Sequence, residues 1–300
     1  MRVIISFTFI ILMGISGASA QEDKPFLIQE KQESPHSLLW EISGNDLDEP
    51  SYVFGTIHLI CNEYLEIEES LISALEQSDK LALELDMTDQ EQMAQIQQLS
   101  MNEGGHNISS DLDPDVVEQL DNLIRPVMGV GMNQAGMMKP FVLQSMVMMA
   151  RLGDKCEDGV TSYEEVLMEL ASEHDLEVAG LETAEFQISL FDNIPMDEQL
   201  EQLEKLVTDE DFVTDQFDKL FGHYISEDLK GMYQLFQEDE VWVQYKDDLL
   251  DTRNQAWISD MEELMTEQPV FFGVGAGHLP GQKGVLQLLE DEGYTVQPVH

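Results

Sequence analysis

Two apolar runs near opposite ends of the chain finish in the same way. "YVFGTIHLI", residues 52–60, passes through Gly55 to His58, and "FFGVGAGHLPG", residues 271–281, passes through Gly275 and Gly277 to His278. Each reads as a buried strand running out into glycine, where the backbone turns freely, and then into an imidazole. A chain with two such ends must bring distant segments into one sheet if both are to serve one purpose.

Other segments obey the same logic. "KLALELD" is a buried strand that ends in Glu84 and Asp86, and "LEVAGLE" is another that ends in Glu182. "LLWEIS" and "SYVFGTIHL" flank "GNDLDEP", a loop of turn formers, which predicts a hairpin; "YTVQPV" closes the chain as a strand. Between them the spacing is helical. Residues 64–78 carry Leu65, Leu71, Ile72 and Leu75 on one face, and 88–99, 114–125 and 140–151 follow, the last opening at Pro140. Ser162 to Glu165 forms a capping box, from which a helix runs to His174 with Val166, Leu167 and Leu170 inward. "QISLFDNI", "EQLEKLV" and "YKDDLLDTRNQAWISDMEELM" are further helices. The expected fold class is α/β (α+β): a mixed central sheet built from N- and C-terminal strands, with a large helical insertion over about 88–175 and 183–265 in a single domain of residues 38–300.

The first 20 residues, "MRVIISFTFIILMGISGASA", have a basic start at Arg2, an apolar stretch and a small-residue ending at Ala20, the pattern of a cleavable secretory signal. An uncleaved anchor is the alternative reading. No cysteine stands at the expected cut, against a lipid-modified protein, and no later apolar run is long enough to span a bilayer. A polar, aperiodic lead follows over 21–37. The protein is therefore expected to be exported, to the periplasm or the extracellular space. Its 14 basic and 60 acidic residues give a net charge of −46, a field that repels nucleic acid and anionic membranes. The acids alternate with apolar residues, as in "YLEIEESLISALEQ", and read as solvated helix faces.

Cys61 and Cys156 are the two cysteines; an oxidising compartment favours a disulfide, and free buried thiols or a metal pair are the alternatives. Met-rich "GMMKPFVLQSMVMMA" suggests core packing more than a soft-metal site, because Phe141, Val142 and Leu143 interleave with the methionines.

Four strand ends thus carry His58, Glu84, Glu182 and His278. In open α/β sheets ligands collect beyond the strand ends, and two imidazoles with a carboxylate make an open site for a catalytic divalent ion. Gly55, Gly275 and Gly277 let the backbone approach such a pocket and are expected to line it. Each piece alone has an ordinary structural reading: a strand-end glutamate is a solvated cap, a single histidine a core residue, Asp86 a cap of its strand. His106, His174, His223 and His300 read as surface residues.

"FGTIHL", "LALELD", "VAGLETAEFQ", "DTRNQAW" and "VGAGHLPGQKGVLQLLEDEGYTVQPV" together resemble the TraB/GumN family, to which the Tiki-type metalloproteases are related. The resemblance runs from about Leu38 to Val299. It implies an α/β core with a helical insertion, a pair of G-x-x-H motifs at Gly55 with His58 and Gly275 with His278, an acidic residue at Glu84 and an arginine at Arg253. The implied chemistry is hydrolysis, with His58, Glu84 and His278 holding manganese, cobalt or zinc and Glu182 as a further ligand or partner. Glu84 or Glu182 would take a proton from water, and Arg253 would stabilise an oxyanion; a plain salt bridge is the alternative for Arg253. The implied substrate is a peptide, with a small molecule left open. Two other readings of the same pocket come with the resemblance: a metal-free, His-dependent esterase-like hydrolase, and a non-catalytic protein that binds metal or haem.

Overall fold

The computed structural model describes residues 36–238 and 240–300, with backbone alone at 212 and 240–242. The expected signal segment, 1–20, and the lead over 21–35 lie outside these residues. Ser37, at the end of the expected lead, is buried, and its hydroxyl donates to the carbonyls of Leu39 and Val299.

Six strands form one sheet: β1 (Leu39–Ser43), β2 (Ser51–Thr56), β4 (Lys80–Leu83), β6 (Glu177–Gly180), β7 (Val270–Gly275) and β8 (Thr295–Pro298), in the order β6-β4-β7-β2-β1-β8. The four strands from β6 to β2 are mutually parallel, and β1 pairs antiparallel with both β2 and β8. The hairpin across "GNDLDEP" is present, pairing Leu39 with Phe54 and Ile42 with Ser51. All six residues of β2 and the first five of β7 are buried. Such two-sided burial is what a parallel sheet covered by helices on both faces demands, and it explains why these strands read as unbroken apolar runs.

One cluster of buried side chains unites this sheet with its covering helices. Leu71, Ala74 and Leu75 come from helix Glu69–Glu76, Leu167 and Ala171 from Tyr163–Glu173, and Trp257, Ile258, Met261 and Met265 from Thr252–Glu267. The helical section has cores of its own. In one, Val116, Leu120 and Ile124 of helix Pro114–Met128 meet Leu143, Met146 and Val147 of helix Pro140–Lys155, together with Leu203 and Val207. Met148 points into a separate cluster with Phe217 and Phe221. The Met-rich helix is therefore a packing element shared between cores, as an unbranched, adaptable side chain suits.

Most helices fall where the spacing puts them, with differences at the ends. The helix expected over 64–78 begins at Glu69, and Leu65 lies before it, after a short 3-10 turn at Asn62–Tyr64. Pro140 occupies the first turn as expected, and Ser162 Oγ accepts from the Glu165 N–H. A π-helical turn, Asp247–Asp251, precedes helix Thr252–Glu267. No helix among the described residues is long and apolar enough to cross a membrane.

A two-stranded ribbon, β3 (Ile60–Cys61) with β5 (Val160–Thr161), has no counterpart in the sequence reading, since two residues carry no alternation to detect. It sits directly after His58 and brings Cys61 to Cys156, which form a disulfide across 95 residues of chain. Closing so long a loop restricts the unfolded ensemble, an effect worth about 2–4 kcal/mol. Reduction, or a paired C61S/C156S change, should lower stability by about that amount in urea unfolding; equal midpoints with and without reductant would contradict this.

Candidate functional site

The parallel order sets the site. Beyond the C-terminal ends of β6, β4, β7 and β2, four neighbouring strands, stand Glu182, Glu84, His278 and His58 in that order across the sheet. Two backbone bonds past the β4 and β6 pairing, Leu181 N–H to Leu83 O and Glu182 N–H to Glu84 O, carry the ladder onward and hold the carboxylates side by side. His278 belongs to a 3-10 turn, Ala276–His278, that leaves β7 immediately. Every one of these side chains is buried.

Arg253 links them. The guanidinium is completely buried. Its Nε and Nη2 donate to the two oxygens of Glu182 at 3.0 and 2.5 Å, Nη2 donates also to Glu84 Oε2 at 2.5 Å, and Nη1 donates to Leu249 O at 3.0 Å and His278 Nε2 at 3.1 Å. All its donors are thus directed at protein groups. Its carbon lies 4.8 Å from the Trp257 ring centre, one helical turn on, and Trp257 Nε1 donates to Glu182 Oε2. Gln187 Nε2 bridges Glu182 Oε1 and Glu84 Oε2.

A guanidinium can only donate, so His278 Nε2 must be the acceptor and Nδ1 carries the ring's proton. That N–H faces Asn254 Oδ1 at 2.6 Å. Burial and then the Arg253 charge keep His278 neutral, holding its pKa well below the ordinary histidine value. Burial works against ionisation of Glu84, but Arg253, His278, His58 and the Gly275 N–H together hold its carboxyl below the usual range. Burial wins at Glu182, which is pushed upward despite Arg253. For His58 burial again favours the neutral ring, and nearby Glu164 reverses the balance, raising its pKa.

The glycines differ in what they permit. A Cβ on Gly275 would lie 3.3 Å from Glu84 Oε1, 3.5 Å from His278 Cδ2 and 3.6 Å from His58 Nε2, so this glycine leaves a small cradle among three site residues. Gly55 instead allows the Ala276–Leu279 turn to pack against β2, and Gly277 makes room for the Phe236 ring. Asp86 accepts from the N–H and hydroxyl of Thr88, capping its own turn. His106 and His223 pair with Asp111 and Asp228 away from the site.

His58, Glu84 and His278 are donors of the types that hold a divalent cation, but their donor atoms do not all lie within 4.8 Å of one another, and His278 Nε2 and both Glu84 oxygens already accept from Arg253 or the Gly275 N–H. His278 Nδ1 hydrogen-bonds Asn254 Oδ1, as metal-binding histidines characteristically bond at their second nitrogen, and His58 Nδ1 lies 2.7 Å from Glu164 Oε1 without hydrogen-bond geometry. Glu84 supplies an ionised carboxylate 3.7 Å from His278 Nε2. Among the described residues, the donor trio lying within 4.8 Å of one another is Cys61, Glu63 and Cys156, and those thiols are spent in the disulfide.

Four contributors escaped sequence reasoning: Glu164, Gln187, Asn254 and Trp257. Three of them lie inside "VAGLETAEFQ" and "DTRNQAW", and Asn254 and Trp257 flank Arg253 on its helix at spacings of one residue and one turn. That proximity was the available signal. Glu164 stands inside the capping box, between Ser162 and Glu165, and gave none.

Replacing Arg253 by methionine leaves two buried carboxylates without their cation, a change expected to cost about 3–5 kcal/mol. In the wild type, the lowered pKa of Glu84 adds stability above the ordinary carboxylate range, and that share is lost as pH falls through the lower folded value. In R253M burial, the largest influence on Glu84, loses its main opponent and is countered only by His278, His58 and the Gly275 N–H, so it favours the proton more than in the wild type. The deficit against wild type should therefore be largest at neutral pH and shrink towards about pH 4–5. Urea unfolding at several pH values checks this, and a pH-independent deficit would refute it.

The TraB/PrgY/gumN family model matches residues 38–298. Metalloprotease TIKI1 of Danio rerio is 23% identical over 326 aligned residues, covering 90% of this chain and 65% of that protein. TIKI1 of Xenopus tropicalis is also 23% identical, over 341 residues, covering 96% and 66%. Metalloprotease TIKI2 of Danio rerio is 21% identical over 332 residues, covering 93% and 63%. The chain spans 65% of the length of the first of these relatives. No solved structure matches. All four strand ends and Arg253 fall within the matched residues, and the chain belongs to the TraB/PrgY/gumN family.

Proposed function

We propose that this protein is an exported, metal-dependent hydrolase acting on peptide bonds. The observation that carries the reading is the meeting of His58, Glu84 and His278 at the ends of three adjacent parallel strands, around the space that Gly275 leaves open. The printed names of its relatives, metalloproteases, agree in reaction class. The signal-like first 20 residues support export.

His58, Glu84 and His278 would hold manganese, cobalt or zinc. When bound, such an ion polarises a carbonyl and makes water a nucleophile at neutral pH. Holding it at His278 Nε2 replaces the hydrogen bond from Arg253. The chain's carboxylates divide the remaining work. Arg253 keeps Glu84 ionised, as a ligand requires, whereas Glu182 has the raised proton affinity suited to accepting a proton. Arg253, with its donors committed to these groups, orients both carboxylates; acting on an oxyanion would require it to release one donor now held by Leu249 O or His278. Gln187 and Trp257 donate to the same two oxygens of Glu182 and help fix it.

One contact favours a second reading. The His58–Glu164 pair resembles the base and orienting carboxylate of metal-free hydrolases, with His58 Nε2 as the base for water. The two readings part under a chelator.

Metal content by mass spectrometry after equilibration with manganese, cobalt and zinc tests the proposal. Wild type should retain about one ion per chain, and H58A and H278A should lose it while remaining folded. G275A, whose methyl group enters the cradle, should also bind less tightly. Cleavage of a peptide library should stop on chelation and return with the metal; activity that survives chelation selects the metal-free reading, and a wild type without metal or hydrolysis ends both.

A further inference from the structure

Glu164 is 6% exposed and lies in the first turn of helix Tyr163–Glu173. A buried carboxylate needs donors, and one that merely tied this helix to the sheet would be expected to spread them over both oxygens. Glu164 gathers them on one. Its Oε1 accepts from the Thr56 hydroxyl at 2.5 Å and lies 2.7 Å from His58 Nδ1, while Oε2 has no hydrogen-bond partner among the described residues. Thr56 and His58 stand two residues apart where β2 ends, so both reach the same oxygen from the same side.

His58 gives the complementary view. Its Nδ1 is buried and meets no group among the described residues in hydrogen-bond geometry; Glu164 Oε1, 2.7 Å away, is the acceptor that approaches it. Glu164 is thus the acceptor available to an Nδ1 proton. Its position is fixed from two directions. The neighbouring Tyr163 donates to Glu66 O and packs against Phe54 and Tyr224, with ring centres 5.1 and 5.8 Å away, and Tyr224 donates to Gly55 O in the strand that leads to His58.

We infer that Glu164 is a positioning residue for the site: it keeps the proton of the neutral His58 ring on Nδ1 and so bares Nε2 toward the cradle at Gly275. A neutral imidazole has one N–H and one lone pair, and the nitrogen facing an acceptor keeps the proton. Without Glu164 the proton is free to move to Nε2, where it blocks the lone pair that a metal ion or a water proton would use. Thr56 holds the carboxylate's rotation. The consequence for metal affinity rests on the hydrolase reading above, whereas the tautomer does not.

The test uses metal-free full-length protein with ring-labelled histidine, at a pH where His58 is neutral. Long-range proton–nitrogen correlation spectra locate its proton in wild type, E164L and E164Q, and Co²⁺ titration follows on the same samples. Wild type should show the Nδ1–H form. E164L, similar in volume but without an acceptor, should shift the proton to Nε2 and weaken Co²⁺ binding about 10- to 100-fold. E164Q, whose amide oxygen can accept, should restore the Nδ1–H form with its proton resonance moved upfield, because a neutral acceptor replaces a charged one. A folded E164L with the wild-type tautomer overturns the inference. Should E164L fail to fold, an E164Q spectrum identical to wild type overturns it instead. A tautomer change in a protein that never binds Co²⁺ would end the metal-dependent reading and still support the role of Glu164.

Discussion

The arrangement turns on one buried cation. Arg253 lies between two carboxylates that the parallel sheet places side by side, and each would repel the other if left alone. Taking three charged groups out of water carries a desolvation penalty that their attraction only partly offsets, so the cluster is poorly explained as a source of stability. Its value is geometric. A planar fork of fixed donors defines the relative positions of the ends of β4, β6 and β7 to within hydrogen-bond tolerance, which a lysine's single ammonium could not do. The π-helical turn just before it carries Leu249, whose carbonyl takes one of those donors, in keeping with the frequent occurrence of such turns at functional sites.

The ends of the strands were legible because they combine an apolar run with a polar residue, beside a glycine at all but the β4 end, a pattern that reflects local physics. Strand order was not. That Glu182, Glu84, His278 and His58 lie on adjacent parallel strands depends on how distant segments pack, which no window of sequence contains. Glu164 was hidden for a different reason. In a chain with 60 acidic residues a glutamate in a first helical turn looks like a solvated, dipole-favoured charge. The capping box correctly marked Ser162 and Glu165, and the residue between them that faces the site passed unnoticed. Asn254 and Gln187 are polar residues on helices read for their apolar faces; only burial reveals that they point inward. Helix boundaries moved by a few residues, as at Glu69, because ends are settled by the turns and neighbours around them.

The chain keeps its acidity at two levels. Cations such as Lys139, Arg151 and Lys155 sit towards the surface, each paired with a carboxylate. Such exposed pairs contribute little individually and are screened by salt. The site's charges are shielded from that screening by burial. Ionic strength should therefore act mainly on the protein's repulsive outer field, leaving the internal balance among Arg253, Glu84 and Glu182 almost untouched.

The disulfide has a topological effect beyond its contribution to stability. Cys61 follows His58 by three residues, and Cys156 precedes Glu164 by eight, so the bridge turns residues 61–156 into a closed ring of chain that includes Glu84. The remaining site residues enter from the two tails of that ring. A protease that cut an exposed loop inside it, for instance near Gly104 and Gly105, would leave the pieces covalently joined. A chain nicked in this way within its helical section would remain one molecule, with every group of the site still attached.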